Sequence, residues 1–453
     1  METSEKNSAP VANNNNNSNN QTNEKIIDNN KKIQSLTPNP DNMTPSGDDN
    51  INNNQKNSNN TNNFSTPMGN EQELNKSIEE EQSFESDNNN DDLSLTPSFS
   101  FNNTKKAPLV ILEDTKNTTY MSNVIRCLTN IKPIAKYYST NLNNIKSNLN
   151  IIPLSYAFSR IIYNLYSFPE DSLKKSFSLS NFHKITTYIN PFFKGNDLKN
   201  SIDFLIFLSE SLHQEDITLK KENNNKEKIQ KNEKDLTEYL KNLSKKENSI
   251  IFNNFAWIAQ KIKKCLECNE EFITYLNFFT FDLNIDKILT KSQTKLISVY
   301  DCIKLNSAKE KKECPLCPSC KKNKKFEVES SIRVAPNYFI FLLRLDHPEI
   351  IQKYLNGGYK IKIEESIDLS DLIKESNSKS NYYLNGIVFI KYILNDIEYI
   401  SIFRNPFDEN WYKYENNDIA KINIDCFLNP ENKNNLYPVI LFYNSNLEVK
   451  INN

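Results

Sequence analysis

The chain has 453 residues, a formal net charge of −2, 37% hydrophobic residues and eight cysteines. So balanced a charge gives no electrostatic ground for nucleic acid as the direct partner. No apolar run approaches the length of a membrane span. The polar start Met1-Glu-Thr-Ser-Glu-Lys6 lacks a secretory leader pattern, so the cysteines are expected in the cytosol or nucleus, as thiols or metal ligands.

Residues 1–104 are dominated by Asn, Ser, Asp, Gln and Pro, with the run Asn13 to Asn17 and the acidic patch Asp87 to Asp92. Such a segment buries too little apolar surface to offset its ordering entropy, and a disordered Asn-rich tail is expected there. One domain is expected over 105–450. Asn117 to Tyr138 reads as a helix because Met121, Val124, Ile125, Leu128 and Ile131 recur at helical spacing until Pro133. Ser155 to Tyr166 and Ile202 to His213 read as further helices. Residues 217–249, rich in Lys, Glu and Asn, read as a mobile charged insertion with a short helix near Leu236 to Leu243.

Strand character follows in Glu271 to Leu283, Ser331 to Leu345, Tyr382 to Tyr392, Ile397 to Arg404 and Tyr437 to Tyr443. Helices first and strands later predict an α+β domain. Within 262–330, Cys265-Leu-Glu-Cys268 and Cys317-Pro-Ser-Cys320 form two C-x-x-C pairs with 48 residues between them, and Cys314 overlaps the second. Two such turns can deliver four thiolates to one tetrahedral ion, which predicts a structural zinc on Cys265, Cys268, Cys317 and Cys320. Free thiols are the alternative, and spacing leaves open whether Cys314 replaces Cys317 or Cys320. Cys127, Cys302 and Cys426 read as small core residues.

Lys116-Asn-Thr-Thr-Tyr-Met-Ser-Asn-Val-Ile-Arg-Cys-Leu128 resembles the cysteine box of ubiquitin-specific proteases, the peptidase C19 family, with pattern G-N-T-C-Y-M-N-S-x-x-Q-x-L. Asn200-Ser-Ile-Asp-Phe-Leu205 and Leu212-His-Gln-Glu215 are similar to its D-A-x-E-F-L and L-H-x-E blocks, and Pro336 to Arg344 to a following strand. Tyr383 to Phe389, Tyr399 and Trp411-Tyr-Lys-Tyr414 are similar to its histidine box, and Tyr437 to Tyr443 to its closing strand. The resemblance spans Pro108 to about Tyr443. It implies a papain-like cysteine protease fold with helical thumb, β palm and zinc-binding β fingers, and ubiquitin or a ubiquitinated protein as partner.

By the same resemblance, Thr119 stands at the nucleophile position, Glu398 at the histidine position, Asn416 at the Asp/Asn position and Asp114 at the oxyanion position. A carboxylate at Asp114 would repel a developing oxyanion. An internal threonine lacks the activating N-terminal amine, and a carboxylate is a weak base at neutral pH. The expectation is a catalytically inactive ubiquitin-binding or scaffolding member. The alternatives are a divergent active cysteine-type deubiquitinase hydrolysing ubiquitin isopeptide bonds and a structural subunit of an RNA-processing or chromatin complex. Cys127, eight residues beyond Thr119 and about 12 Å along a continuous helix, is a poor substitute nucleophile. His183, His213 and His347 lie outside the matching boxes and read as helix-surface or loop residues.

Overall fold

The computed structural model describes residues 109–113, 118–148, 150, 152–167, 176–194, 200–221, 235–292, 294–322, 324–374, 379–393, 396–430 and 435–445. The expected tail at 1–104 lies outside the described residues, as do Asp114 and residues 222–234 of the expected insertion.

The first half is helical: α1 (Thr119–Thr129), α2 (Lys132–Thr140), α3 (Leu142–Ser147), α4 (Pro153–Ser167), α5 (Ser180–Ile189) and α6 (Ser201–Lys221). Every residue of α1 from Tyr120 to Thr129 is buried, so this is a core helix rather than a surface one. The single helix expected over 117–138 is two. Asn130 ends α1, its N–H donating to the Cys127 carbonyl and the Ile131 N–H to that of Leu128, and Pro133 occupies the first turn of α2, where a missing N–H costs nothing.

Helix α6 runs eight residues beyond the expected His213 end, because Asp216 is a packing residue and not part of a solvated insertion. Its carboxylate is buried, accepting from the Tyr137 hydroxyl at 2.8 Å and the Ile250 N–H at 2.9 Å. The expected short helix is present as α7 (Leu236–Lys246), followed by α8 (Ile250–Phe255). Among the described residues no helix is long and apolar enough to cross a membrane.

Two short parallel pairs stand apart from the main sheets, β1 (Ile111–Glu113) with β2 (Ser176–Ser178) and β6 (Leu296–Ser298) with β10 (Lys360–Lys362), and the rest of the second half is mainly β. An eight-stranded sheet runs β15-β14-β13-β12-β16-β9-β5, with β11 also pairing β12. Its members are β5 (Phe281–Asp282), β9 (Tyr338–Leu342), β11 (Ser366–Asp368), β12 (Asn381–Ile393), β13 (Asp396–Arg404), β14 (Trp411–Glu415), β15 (Asp418–Ile422) and β16 (Leu436–Asn444). All five residues of β9 are buried, and so are Val439 to Tyr443 of β16, which places the core across the sheet centre. A second, antiparallel sheet runs β4-β3-β8-β7 through Glu271–Phe278, Trp257–Cys265, Lys325–Val334 and Glu310–Glu313. The α+β expectation holds.

Glu215 shows how the helical half is locked. Its two carboxylate oxygens accept the N–H groups of Leu154 at 3.1 Å and Ser155 at 2.6 Å, so α6 caps the N-terminus of α4 across 60 residues of sequence. Burial pushes its carboxyl up to about 7, against those same hydrogen bonds, which lower it. A carboxyl raised above its unfolded value contributes stability that is present at acid pH and is lost as pH rises through about 7. Glu215→Gln is therefore expected to flatten this dependence. In urea titrations its stability relative to wild type should rise by on the order of 2 kcal/mol between pH 5 and pH 8. A pH-independent difference would refute the assignment.

Candidate functional site

The beginning of α1 meets strand β13. Asn123 makes the junction: its Nδ2 donates to the Thr119 carbonyl at 2.7 Å and to the Tyr399 carbonyl at 2.9 Å. One buried amide thus holds the two positions that the sequence singled out, Thr119 and the neighbour of Glu398, on either side of one cleft. Arg126, one turn deeper, is also buried. It donates to the Val110 carbonyl and lies 5.2 Å from the Tyr414 ring centre and 5.8 Å from that of Phe403, on β14 and β13.

The side chains that meet at this junction are a hydroxyl, two carboxylates and two ammonium groups. Thr119 is half-buried, and no described residue hydrogen-bonds its hydroxyl. Glu398 is half-buried with Oε2 lacking a hydrogen-bond partner, and the Lys391 ammonium stands 4.0 Å away. Lys391 itself bonds Glu415 at 2.9 Å, and Lys413 bonds the same carboxylate at 2.7 Å. Burial pushes the Glu415 carboxyl up, but the Lys413 and Lys391 hydrogen bonds outweigh it and hold the group below its ordinary value. The Glu415 hydrogen bond in turn raises the Lys391 ammonium above its ordinary value. Glu398, Lys391, Glu415 and Lys413 thus form a chain of alternating acidic and basic side chains with no imidazole among them.

Asn416 sits elsewhere. With Asn417 it forms the two-residue turn between β14 and β15, both at positive φ (51° and 58°) and both exposed. Asn tolerates that left-handed geometry, so turn chemistry accounts for both residues. The residue tied to Glu398 through Lys391 is the preceding one, Glu415, which the sequence reading passed over. The signal was available: an Asn-Asn turn makes Glu415 the last residue of its strand.

The remaining candidate nucleophiles and bases are accounted for structurally. Cys127 is fully buried, its thiol 4.0 Å from the Ile387 carbonyl, and burial pushes its pKa up. Cys302 is buried likewise. Cys426 is exposed on the short helix Asp425–Leu428, contrary to the core reading, because that four-residue helix has no buried residue. His213 is buried rather than on a helix surface, bonded to Ser249 Oγ at 2.6 Å and Glu247 Oε2 at 2.8 Å. This serine, histidine and carboxylate do not form a catalytic set, since Ser249 is buried and its Oγ also accepts the Phe252 N–H as the cap of α8. His183 is half-buried against the Phe193 carbonyl, and His347 is exposed.

The four predicted metal ligands converge. The sulfurs of Cys265, Cys268, Cys317 and Cys320 all lie within 4.8 Å of one another, with Cys265 to Cys320 at 3.9 Å and Cys268 to Cys317 at 3.7 Å. Four thiolates about 2.3 Å from one tetrahedral ion have edges of about 3.8 Å, so the cluster fits a single metal. Each turn ends on a left-handed residue directly after its second cysteine, Asn269 (φ 58°) and Lys321 (φ 54°). Strand pairing closes the long sequence gap, since β3 and β8 bring Cys265 opposite Phe326. Cys314 packs against the cluster without joining it.

Comparison with known proteins agrees with this architecture. Ubiquitin carboxyl-terminal hydrolase Usp2 of Drosophila melanogaster is 23% identical over 341 residues, covering 73% of this chain and 35% of that protein. Ubiquitin carboxyl-terminal hydrolase 2 of Homo sapiens is 23% identical over 333 residues, covering 70% and 53%. The chain thus spans about half or less of the relatives it matches. The SAGA DUB module Ubp8/Sgf11/Sus1/Sgf73 bound to monoubiquitin superposes with a TM-score of 0.56 at 18% identity, covering 83% of this chain and 76% of that one. The same module bound to ubiquitin aldehyde gives the same TM-score. The family model for ubiquitin carboxyl-terminal hydrolase matches residues 111–443. Fold, block order and that match together place the chain in the ubiquitin carboxyl-terminal hydrolase family, with the ubiquitin-specific protease type of fold.

Proposed function

We propose that the domain is a ubiquitin-binding or scaffolding module without hydrolase activity, held together in its fingers by a structural zinc. The observation that carries this reading is the junction of α1 and β13. The backbone of the cleft is kept by Asn123, while its two reacting positions hold a hydroxyl without a base and a carboxylate facing an ammonium. A cysteine hydrolase needs a thiolate activated by an adjacent imidazole, which later protonates the leaving amine. Cys127 lies in the helix core, and the three histidines lie away from the groups that meet Asn123. Ubiquitin as ligand is supported by the relatives' names and by the ubiquitin bound in the structural neighbours.

Zinc would be held by Cys265, Cys268, Cys317 and Cys320 and would supply cohesion rather than reactivity, since four sulfurs leave no open coordination position. Keeping those thiols reduced suits the cytosol or nucleus. The second reading, an assembly subunit that has lost ubiquitin contact, is favoured by one fact: the superposing chain belongs to a multi-subunit module.

Activity is tested with a ubiquitin-linked fluorogenic substrate and a ubiquitin vinyl probe. The expected outcome is turnover at least about four orders of magnitude below an intact thiol triad, and no probe adduct. Turnover abolished by Thr119→Ala or Glu398→Gln would sink the proposal, and an adduct abolished by Cys127→Ser would establish the thiol enzyme instead. Ubiquitin titration followed by nuclear magnetic resonance separates the two noncatalytic readings, because an unperturbed spectrum at about millimolar ubiquitin leaves only assembly.

Metal content gives an independent check. Elemental analysis should find one zinc per chain, lost in Cys268→Ser and Cys317→Ser and retained in Cys314→Ser. Loss of the metal should melt the β4-β3-β8-β7 sheet, because its binding energy is part of that sheet's folding energy. Zinc retained in Cys317→Ser would mean that the ligand set is wrong.

A further inference from the structure

The chain is nearly neutral overall, yet its charges are sorted. Lys309 to Lys325, the strand β7 and the second cysteine turn, contains seven lysines and two glutamates. Lys312 pairs with Glu310 at 2.8 Å, and Lys309 reaches Glu327 and Glu329. Lys311, Lys321, Lys322 and Lys324 are exposed and make no ion pair among the described residues.

The lysines are fixed to the cysteine cluster by the backbone. The Lys321 N–H donates to the Cys317 carbonyl at 2.8 Å, and the Lys324 carbonyl accepts from the Cys314 N–H at 2.8 Å. The Lys325 carbonyl accepts from the Leu266 N–H at 3.1 Å, which brings the first turn to the same rim. Leu266 and Leu316, each adjacent to a clustered cysteine, expose 42% and 50% of their surface there. A rim that is both cationic and apolar calls for a ligand with carboxylates and aliphatic or aromatic side chains together. A phosphodiester backbone would match only the charge.

The same chain carries such a segment outside the described residues. Glu71 to Asp92 has nine acidic residues and one lysine, interleaved with Leu74, Ile78 and Phe84 and followed by Leu93. The sixteen residues from Leu93 to Pro108 that join it to the domain can span at most about 55 Å. We propose that Glu71 to Leu93 docks on the lysine-rich rim of the cysteine cluster, as an intramolecular acidic peptide on a basic, leucine-tipped platform. The tail is then a competitor for whatever acidic partner the rim meets, which gives it a role independent of the groove. The inference stands whether or not the domain binds ubiquitin.

Zero-length carbodiimide cross-linking of the full chain, read by mass spectrometry, tests this directly, since it joins only carboxylates and ammonium groups already in contact. The expected result is that links from Glu71 to Asp92 concentrate on Lys321, Lys322 and Lys324. Their yield should be independent of protein concentration and fall at least about fivefold when salt is raised from 0.05 to about 0.5 M. Replacing Glu79, Glu80 and Glu81 by Gln leaves the domain untouched and should cut the yield of links from the remaining carboxylates by about tenfold. The variant Lys321→Ala, Lys322→Ala, Lys324→Ala, with zinc content confirmed, should leave the tail unlinked to this rim and not transfer its links to other lysines. Links spread over lysines across the domain, a yield that rises with concentration, or indifference to the Gln variant would overturn the proposal. So would retention of a single-stranded oligonucleotide on the rim with no tail links, which would assign it to nucleic acid.

Discussion

Everything at the α1–β13 junction depends on how α1 is bound to strands β13 and β14 of the large sheet, and two polar side chains do this from inside the core. Asn123 ties the Thr119 carbonyl to that of Tyr399, and Arg126 ties α1 to Val110 while its guanidinium lies over Tyr414 and Phe403. A buried cation is costly unless carbonyls and aromatic faces compensate it, so this docking is specific to one register of helix against sheet. Tyr414 adds a second constraint, its hydroxyl donating to the Leu112 carbonyl. The cleft therefore has its shape whether or not the residues lining it can do chemistry.

The residues that build the fold and those at the two singled-out positions are separable in the same way. Tyr120, Met121, Phe204, Leu205, Leu212, Tyr399 and Tyr414, which carry the matching blocks, are all buried. Changing any of them leaves a cavity or an unpaired group costing about 2–5 kcal/mol. His213 and Glu215 belong with them: one clamps the start of α8 through Ser249, and the other caps α4. Thr119 and Glu398 are half-buried and bear no packing load of this kind. The identity of the side chains at those two places therefore has little bearing on how the domain is built.

The sequence disclosed most of this where side chains repeat with a period or obey turn chemistry. The five strand runs and the helices around Ile161 and Leu208 follow from apolar spacing, and the four clustered cysteines from their doublets. What escaped it has a common cause. Proline at 133 reads as a breaker and is in fact a helix start, a distinction made only by where the preceding helix ends. His213 and Asp216 are polar, and nothing local says that Ser249, Glu247 and Tyr137 come from other elements to satisfy them. Cys426 has Phe427 and Leu428 beside it in sequence but lies on a helix too short to bury a face. Glu415 was not singled out, and only one residue of hairpin register separates it, on the strand, from Asn416 in the turn, the scale at which one step moves a side chain to the opposite face.

The cysteine cluster makes the complementary point about spacing. Forty-eight residues between the two doublets weaken a motif search, because a free loop of that length would charge its closure entropy against the metal. Here the closure is already made by the eight-residue register of β3 on β8, which carries Cys265 to Phe326 before any ion is considered. Both turns then need a residue in the left-handed region after the second cysteine, and Asn269 and Lys321 take it. The four cysteines are thus brought together by the sheet, and the α1–β13 junction by the docking of α1. The two sites share a domain but not a cause, so the geometry of one does not depend on the side chains of the other.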